Sequence, residues 1–145
     1  MTVISSSAFY KCESLTSIDI PDSVTSIGGS AFEECKSLTS VTIPDSVKTM
    51  GEHAFDTCKN LATVDLGKGV TEIGEEAFYN FNDLDNNWNR AITSITIPDS
   101  VTTICKEAFC ECTSLSPHRE RINNPQRFGN LSHRQTSKGA STGPP

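Results

Sequence analysis

The side chains best suited to covalent or metal chemistry in this sequence are three histidines and six cysteines. A catalytic thiol needs a base within hydrogen-bond reach, and that base needs a further group that orients it. Cys58 and His53 are near enough in sequence to form such a dyad. The surrounding apolar pattern, however, directs Cys58 inward and His53 toward solvent, and it supplies nothing that would orient the imidazole. The sequence also has no phosphate-binding glycine loop, HExxH motif or nucleophile elbow, so we expect neither catalysis nor a cofactor.

Four of the cysteines share one position of a repeating pattern, at Cys12, Cys35, Cys58 and Cys112, and Phe81 takes that position in between. A position that accepts phenylalanine needs an apolar filler, and free cysteine packs as a small hydrophobe. Cysteines at this position in neighbouring repeats of a stack would lie about 5 Å apart. Disulfide formation and metal binding are therefore the alternatives to packing as free thiols. The side chains of these cysteines should point the same way, which argues against a disulfide between them. The sequence has no CxxC pair, which argues against a metal site. We therefore expect packed thiols and no metal ligands.

The two remaining cysteines fall elsewhere in the pattern. Cys110 occupies the position held in the other repeats by Tyr10, Glu33, Asp56 and Tyr79. The mostly polar residues at this position predict that the thiol of Cys110 is exposed. Cys105 stands where the other repeats have Gly28, Gly51 and Gly74.

The repeat itself is marked by an Ala-Phe pair, which recurs with spacings of 23, 23, 23 and 31 residues at 8–9, 31–32, 54–55, 77–78 and 108–109. Eight apolar positions keep the same register around four of these pairs. We number these repeats one to four, from Leu15, Leu38, Leu61 and Ile92. Self-similarity at a fixed period of this length is the signature of a stacked repeat protein.

The local pattern changes within each repeat, as the second repeat illustrates. Val41-Thr42-Ile43 alternates, which is typical of a half-buried strand with Thr42 pointing outward. Residues 44–46, Pro-Asp-Ser, form a turn, and Val47 to Met50 is a second short extended piece. The spacing of apolar residues over 52–58 predicts one or two helical turns. Because one repeat cannot bury its own apolar face, we expect stacking, with a parallel sheet on one face and helical pieces on the other.

The pattern Leu-x-x-Val-x-Ile-Pro-Asp-Ser-Val-x-x-Met-Gly-x-x-Ala-Phe-x-x-Cys at 38–58 resembles the BspA-type leucine-rich repeat. Its most specific part, Ile-Pro-Asp-Ser-Val, occurs at 20–24, 43–47 and 97–101. The resemblance covers residues 1–115 and implies an α/β right-handed solenoid. It also implies a bacterial or protist surface protein that binds host matrix proteins, other cells or copies of itself. This sequence departs from the pattern at 66–69, Leu-Gly-Lys-Gly, and at Phe81 and Cys105.

The charge distribution limits the partners. Residues 1–115 contain 7 Lys+Arg and 17 Asp+Glu, a balance of −10, whereas residues 116–145 contain 5 Lys+Arg and one Glu, a balance of +4. An acidic repeat region argues against nucleic acid, whose phosphates require the opposite sign. The sequence contains no apolar run long enough to span a bilayer. We therefore expect a protein partner.

The predicted outward face of the sheet is the first candidate surface. Its strand positions place small polar side chains in register, and the adjoining turns add a second row that also contains Lys68. The candidate residues are Asp19, Thr42, Asp65 and Thr96 from the strands and Asp22, Asp45 and Asp99 from the turns. A sheet holds such groups without further ordering, which favours binding. The alternative is that solvated strand positions simply prefer Ser and Thr.

The second candidate surface is an insertion of eight residues near 84–91, which lengthens the spacing to 31. Insertions in repeat arrays form loops, and loops carry function more often than cores do. Trp88 and Arg90 are the residue types most enriched in binding hot spots. The alternative is that Trp88 folds back and covers the edge of the stack.

Both ends of the sequence lie out of phase with the repeat. The first residues fall halfway through a repeat, and the register is lost after Leu115. Residues 116–145 have a composition typical of disorder. We therefore expect a repeat domain over 1–115, a disordered basic tail over 116–145, and a fragment of a longer array. The leading interpretation is a non-enzymatic interaction module of a cell-surface or secreted adhesive protein. The alternative is an intracellular scaffold, because the visible N-terminus lacks the features of a secretory signal.

Overall fold

The structure is a computed structural model that describes residues 2–80, 92–110, 112 and the backbone of 120–122. Nine short strands lie in these ranges. They are β1 (Thr2–Ile4), β2 (Val24–Ile27), β3 (Ser40–Thr42), β4 (Thr49–Met50), β5 (Thr63–Asp65), β6 (Glu72–Ile73), β7 (Ser94–Ile97), β8 (Thr103–Ile104) and β9 (Glu120–Ile122).

The strands form two parallel sheets. One has five strands in the order β1-β2-β4-β6-β8, and the other has four in the order β3-β5-β7-β9. Each strand pairs with the equivalent strand of the next repeat, so that Ser40 lies opposite Thr63 and Thr63 opposite Ser94. The sequence predicts the strand at 41–43 and a second extended piece at 47–50. The single sheet expected from it is wrong, because that second piece builds a sheet of its own.

The third side of each repeat contains turns, and the predicted helix over 52–58 is wrong. No α-helix occurs in residues 2–80 or 92–110. The backbones of His53 and Thr57 have positive φ angles of 56° and 55°, which no right-handed helix contains. Their N–H groups, with that of Phe55 between them, donate to carbonyls of Glu75, Tyr79 and Ala77 in the next repeat. The backbone is thus paired between repeats and does not need helical bonds.

The core is a column of phenylalanines enclosed by the aliphatic positions of both sheets. The ring centroids of Phe9, Phe32, Phe55, Phe78 and Phe109 lie 5.1, 4.9, 5.4 and 5.2 Å apart in succession, and neighbouring rings are within 9° of parallel. The last four are buried, and Phe9 at the end of the column is half-buried. The predicted inward direction of these residues is confirmed.

Close backbone contact between repeats explains a recurrent glycine. A Cβ atom on Gly51 would lie 2.6 Å from the amide nitrogen of Gly29 in the preceding repeat. Because real Cβ atoms do not approach backbone atoms so closely, glycine allows the backbones of the two repeats to pack directly against each other.

The four-stranded sheet extends beyond the predicted end of the repeat domain. Strand β9, at 120–122, pairs in register with β7, with Thr96 opposite Arg121. It falls inside the segment 116–145, whose composition predicts disorder, and that expectation stays a prediction. The other residues of 113–145 and the insertion near 84–91 lie outside the described residues. Within the described ranges no helix is long and apolar enough to cross a membrane.

Candidate functional site

The outward face of the four-stranded sheet aligns most of the predicted strand residues. Thr42 lies directly opposite Asp65, and Asp65 lies directly opposite Thr96. All three are exposed, whereas the alternating residues Val41 and Val64 are buried. Asp19 is also exposed, but it does not lie in a strand. We call Asp19, Thr42, Asp65 and Thr96 the strand-face row.

A shallow depression lies at the beginning of this row. It has a volume of about 400 Å³ and brings together Asp19, Asp22 and Thr42 with Ser17, Ser40 and Pro44. Three carboxylate and hydroxyl side chains that the sequence predicts as binding residues therefore share one concavity. Its lining also includes the apolar residues Ile18, Ile20 and Val41.

A second depression lies two repeats further along. It has a volume of about 430 Å³ and is lined by Asp65, Thr96 and Asp99, with Lys68, Leu66, Pro98 and Ser100. Asp45 belongs to neither lining set. Its Oδ1 atom accepts a hydrogen bond of 2.8 Å from the amide of Lys68, so this carboxylate ties two turns together. Trp88 and Arg90 lie outside the described residues, and their role stays a prediction.

The cysteines of the shared position point into the core. Cys35 and Cys58 are buried, and their thiols donate to the carbonyl oxygens of Phe9 (3.2 Å) and Phe32 (3.1 Å) in the preceding repeat. Burial raises the pKa of Cys35 to about 11 and raises that of Cys58 further. Burial and the hydrogen bond that each thiol donates both favour the protonated form. These cysteines are therefore poor nucleophiles.

Cys110 is 7% exposed, so its predicted exposure is wrong. Asp56, which occupies the same position in the second repeat, is 9% exposed. The sequence suggests an outward position because most of its occupants are polar. In the second and fourth repeats this position is buried, whereas Tyr10, in the first partial repeat, is exposed.

His53 is the second departure from the sequence-based expectation. Its side chain is half-buried, and its Nδ1 atom lies 2.9 Å from Oδ2 of Asp56 and 3.6 Å from Oε2 of Glu76. Asp56 therefore orients the imidazole, contrary to the expectation that nothing does. We call His53, Asp56 and Glu76 the His53 cluster. Its members lie within 4.8 Å of one another through their ligand atoms.

Burial and neighbouring charges both shift the pKa values of the cluster. Burial disfavours a charged imidazole, but the hydrogen bond and charge of Asp56, with the charges of Glu76 and Glu33, outweigh it and raise the pKa of His53. Burial raises the pKa of Asp56 and is the largest influence on that of Glu76, which is also raised.

Sequence comparison decides the family. The BspA-type leucine-rich repeat region matches this chain with six copies, over residues 2–90 and 86–127. The chain belongs to this family. The match includes the described strands β1 to β9 and agrees with the parallel sheets of the structure.

Solved leucine-rich repeat proteins share the fold. A leucine-rich repeat protein from Bacteroides ovatus is 38% identical, with a TM-score of 0.69, over 85% of this chain and 29% of its own. A leucine-rich cell surface protein from Faecalibacterium prausnitzii is 38% identical, with a TM-score of 0.67, over 89% of this chain and 29% of its own. A leucine-rich repeat protein of T. pallidum is 30% identical, with a TM-score of 0.70, over 79% of this chain and 50% of its own.

This BspA-type chain spans under a third of the length of the first two of these proteins. No protein of curated function matches it. Leucine-rich repeat proteins are typically protein-interaction modules.

The His53 cluster is the feature that the sequence does not suggest directly. His53 and Asp56 are three residues apart, and Glu76 is 23 residues beyond His53, which is one repeat. The signal is visible only when the repeats are written beneath one another, because His53 then lies directly above Glu76. The turn that places Asp56 beside them follows from backbone geometry that the apolar pattern does not contain.

Proposed function

We propose that this BspA-type chain is a non-enzymatic protein-interaction module on a right-handed solenoid, and that its strand-face row forms the contact surface. The observation that carries the proposal is the direct register of Thr42, Asp65 and Thr96 on an exposed face of a hydrogen-bonded sheet. Side chains held in place by a ladder lose little conformational freedom when a partner binds.

The shape and charge of this face favour a protein partner with a basic surface. The two depressions lie along the row, and each is lined by both polar and apolar residues. Of the charged residues in their linings, Asp19, Asp22, Asp65 and Asp99 are acidic and Lys68 is basic. Complementary charge gives specificity and a faster encounter.

We further propose that the chain is part of a cell-surface or adhesive protein that contacts host matrix or cell-surface proteins. The cell surface protein of Faecalibacterium prausnitzii supports this by its likeness to the chain. Because the chain spans under a third of that protein, its partners have to be established by measurement.

The test compares two sheet faces of the same protein. The first variant is Thr42→Ala/Asp65→Ala/Thr96→Ala on the four-stranded sheet. The matched control is Thr49→Ala/Glu72→Ala/Thr103→Ala, an exposed row of the same register and almost the same composition on the five-stranded sheet. Binding of the full chain and both variants to immobilised matrix proteins and to intact epithelial cells is measured by surface plasmon resonance and flow cytometry.

We expect the first variant to lose at least about tenfold in affinity, equivalent to about 1.4 kcal/mol, and the control to bind as the unmodified chain does. Loss in the control alone would move the contact to the five-stranded sheet. If the unmodified chain binds none of the matrix proteins and none of the cells, the proposed adhesive role is wrong.

A further inference from the structure

The His53 cluster joins one nitrogen and two oxygen donors from adjacent repeats. Nδ1 of His53 faces Oδ2 of Asp56 at 2.9 Å and Oε2 of Glu76 at 3.6 Å. Histidine nitrogen and carboxylate oxygen are the donors that zinc takes from proteins when no thiolate is present. The cluster is independent of the strand-face row, since its residues come from the turns on another side of each repeat.

The separations agree with those that a first-row divalent cation requires. Zinc bonds to histidine nitrogen and carboxylate oxygen are about 2.0–2.2 Å long, so two ligands of a tetrahedral ion lie roughly 3.3–3.5 Å apart. The two measured distances fall on either side of this value. All three donor atoms lie within 4.8 Å of one another, so the two carboxylate oxygens would have to approach by at most about 1.3 Å to surround one ion.

We propose that His53, Asp56 and Glu76 form a binding site for a divalent transition-metal cation of the zinc class. The imidazole binds through Nδ1 in its neutral form, and each carboxylate contributes one oxygen. Three protein ligands leave a fourth position open to water or to a donor from a partner.

The backbone holds these donors in place before any ion arrives. The amides of His53 and Glu76 donate to the carbonyls of Glu75 (2.8 Å) and Lys106 (3.1 Å) in the repeats that follow them. The amide of Asp56 donates to the carbonyl of His53 at 3.1 Å, which closes the turn between them. A preorganised set of ligands binds a cation with little loss of conformational freedom.

A hydrogen bond outside the donor set orients the aspartate. Thr57 donates its hydroxyl to Oδ1 of Asp56 at 2.6 Å, which leaves Oδ2 directed at the imidazole. Hydrogen bonds to the second oxygen of a ligating carboxylate are a regular feature of metal sites, where they fix the direction of the ligand.

The electrostatic surroundings favour a cation. Glu33 lies near enough to act on both His53 and Asp56, and Glu107 acts on Glu76. Lys106 pairs with Glu107 at 3.5 Å. Burial is the main reason that the pKa values of Asp56 and Glu76 are raised, and neighbouring carboxylates add to it. A divalent cation at the cluster would favour the ionised form of both groups.

The competing interpretation is an ordinary His–Asp ion pair that stabilises the turn. Both interpretations account for the 2.9 Å contact between His53 and Asp56. Only a metal site requires Glu76 as well, and only a metal site takes up Zn²⁺ in proportion to protein. Metal titration of designed variants therefore distinguishes them.

The test is calorimetric titration of the full chain with ZnCl₂ at pH 7.5, with thermal unfolding measured in parallel. The variants are His53→Ser, which copies Ser30 of the preceding repeat and so suits the fold, and Glu76→Gln, which keeps the shape of the side chain. We expect one Zn²⁺ per chain and a loss of at least about tenfold in affinity for each variant, because even outer partners of metal ligands contribute about 10–100-fold.

Two control variants address the other donors in the sequence. His118→Ala/His133→Ala removes the remaining histidines, and Cys105→Ser removes a half-exposed thiol. Both controls are expected to bind Zn²⁺ as the unmodified chain does. Zinc should also raise the unfolding temperature of the unmodified chain and of the controls, but not that of His53→Ser, because a ligand that binds only the folded state stabilises it.

The proposal is overturned if the unmodified chain takes up no Zn²⁺ at 1 mM metal, or if His53→Ser and Glu76→Gln bind it as tightly as the unmodified chain. Loss of binding in the Cys105→Ser or histidine control in place of the cluster variants would also overturn it. Circular dichroism of each variant shows whether the sheets are intact, and Glu76→Gln decides the question if His53→Ser fails to fold.

Discussion

Phe32 and Phe55 are 23 residues apart in sequence, and their rings stack with centroids 4.9 Å apart and planes 8° from parallel. This distance is close to the spacing of neighbouring strands in a sheet. The stacking of the aromatic rings therefore has the same period as the hydrogen-bonded ladders on either side of them. The column and the two sheets stabilise one another because a change in the spacing of one would disturb both others.

The first prediction concerns the position of a ring in this column. Phe55 stacks on two rings and is buried, whereas Phe9 stacks on one and is half-buried. We expect Phe55→Ala to lower the free energy of unfolding by about 3–5 kcal/mol, the usual cost of removing a buried aromatic ring. Phe9→Ala should cost clearly less. Urea denaturation followed by circular dichroism measures both.

Equal costs for the two substitutions would contradict this prediction. They would mean that the central ring contributes through its own repeat and not through its neighbours. In a stacked repeat protein, stability is divided between intrinsic and neighbour contributions, so the difference between Phe55→Ala and Phe9→Ala estimates the neighbour contribution.

The sequence predicts the core and the strand at 41–43 because these depend on apolar positions that recur in every repeat. It predicts Thr42, Asp65 and Thr96 on one face for the same reason. It fails at 52–58, where Ala54, Phe55 and Cys58 have a spacing that fits a helix. The positive φ angles of His53 and Thr57 and the amide bonds between repeats are properties of the stack, which no single repeat reveals.

The sequence also fails at the His53 cluster and at Cys110. Both lie in the turns, where neighbouring repeats cover side chains that a pattern of polar residues places in solvent. The backbone carbonyl of Asp56 accepts a hydrogen bond from the amide of Glu34, one repeat away. Apolar periodicity describes which residues face the core, but it does not describe how deep the turn between two repeats lies.

The second prediction is a pH dependence of stability. The folded-state pKa values of His53, Asp56 and Glu76 are all raised, so these three groups bind more protons in the folded state than in the unfolded state. For His53 the stabilisation is fully present below pH 6.5 and is lost as pH rises through its folded pKa. For the two carboxylates, destabilisation of the folded state appears as pH rises through their folded pKa values. We expect the cluster to contribute more stability at pH 5 than at pH 8.

Urea denaturation at pH 5 and pH 8, with a chelator present, measures this contribution. The double variant His53→Ser/Glu76→Gln should show a smaller loss of stability between these values than the unmodified chain. Glu13→Gln is the control, because Lys36 lowers the pKa of Glu13, which moves its titration away from the interval between pH 5 and pH 8. An unchanged pH dependence in the double variant would show that the cluster does not bind the extra protons.

The third prediction concerns thiol reactivity. A thiol with a pKa of about 11, as in Cys35, has roughly 100-fold less thiolate at neutral pH than one with a pKa of 9. Cys58 is buried and its pKa is raised further. In the folded chain we expect iodoacetamide to modify Cys35 and Cys58 at least tenfold more slowly than the half-exposed Cys105, as measured by mass spectrometry of digested protein.

Labelling in guanidinium chloride is the control, and there all three cysteines should react at similar rates. Rapid modification of Cys58 in the folded state would contradict the prediction. It would support a thiol-based reaction at Cys58. It would also mean that the hydrogen bond from Cys58 Sγ to the carbonyl oxygen of Phe32 does not protect the thiol.

The fourth prediction concerns salt and the acidic residues of the strand-face row and of the turns beside it. Asp19, Asp22 and Asp65 are exposed, so their attraction to a basic partner weakens once the Debye length falls from about 10 Å at 0.1 M salt to about 3 Å at 1 M. We expect added NaCl to lower the association rate with any matrix protein that binds the chain.

Asp22→Asn/Asp65→Asn should reduce this salt dependence, whereas Glu72→Asn on the five-stranded sheet should leave it unchanged. Surface plasmon resonance at several salt concentrations measures each rate. An identical salt dependence in the unmodified chain and both variants would show that Asp22 and Asp65 do not guide association.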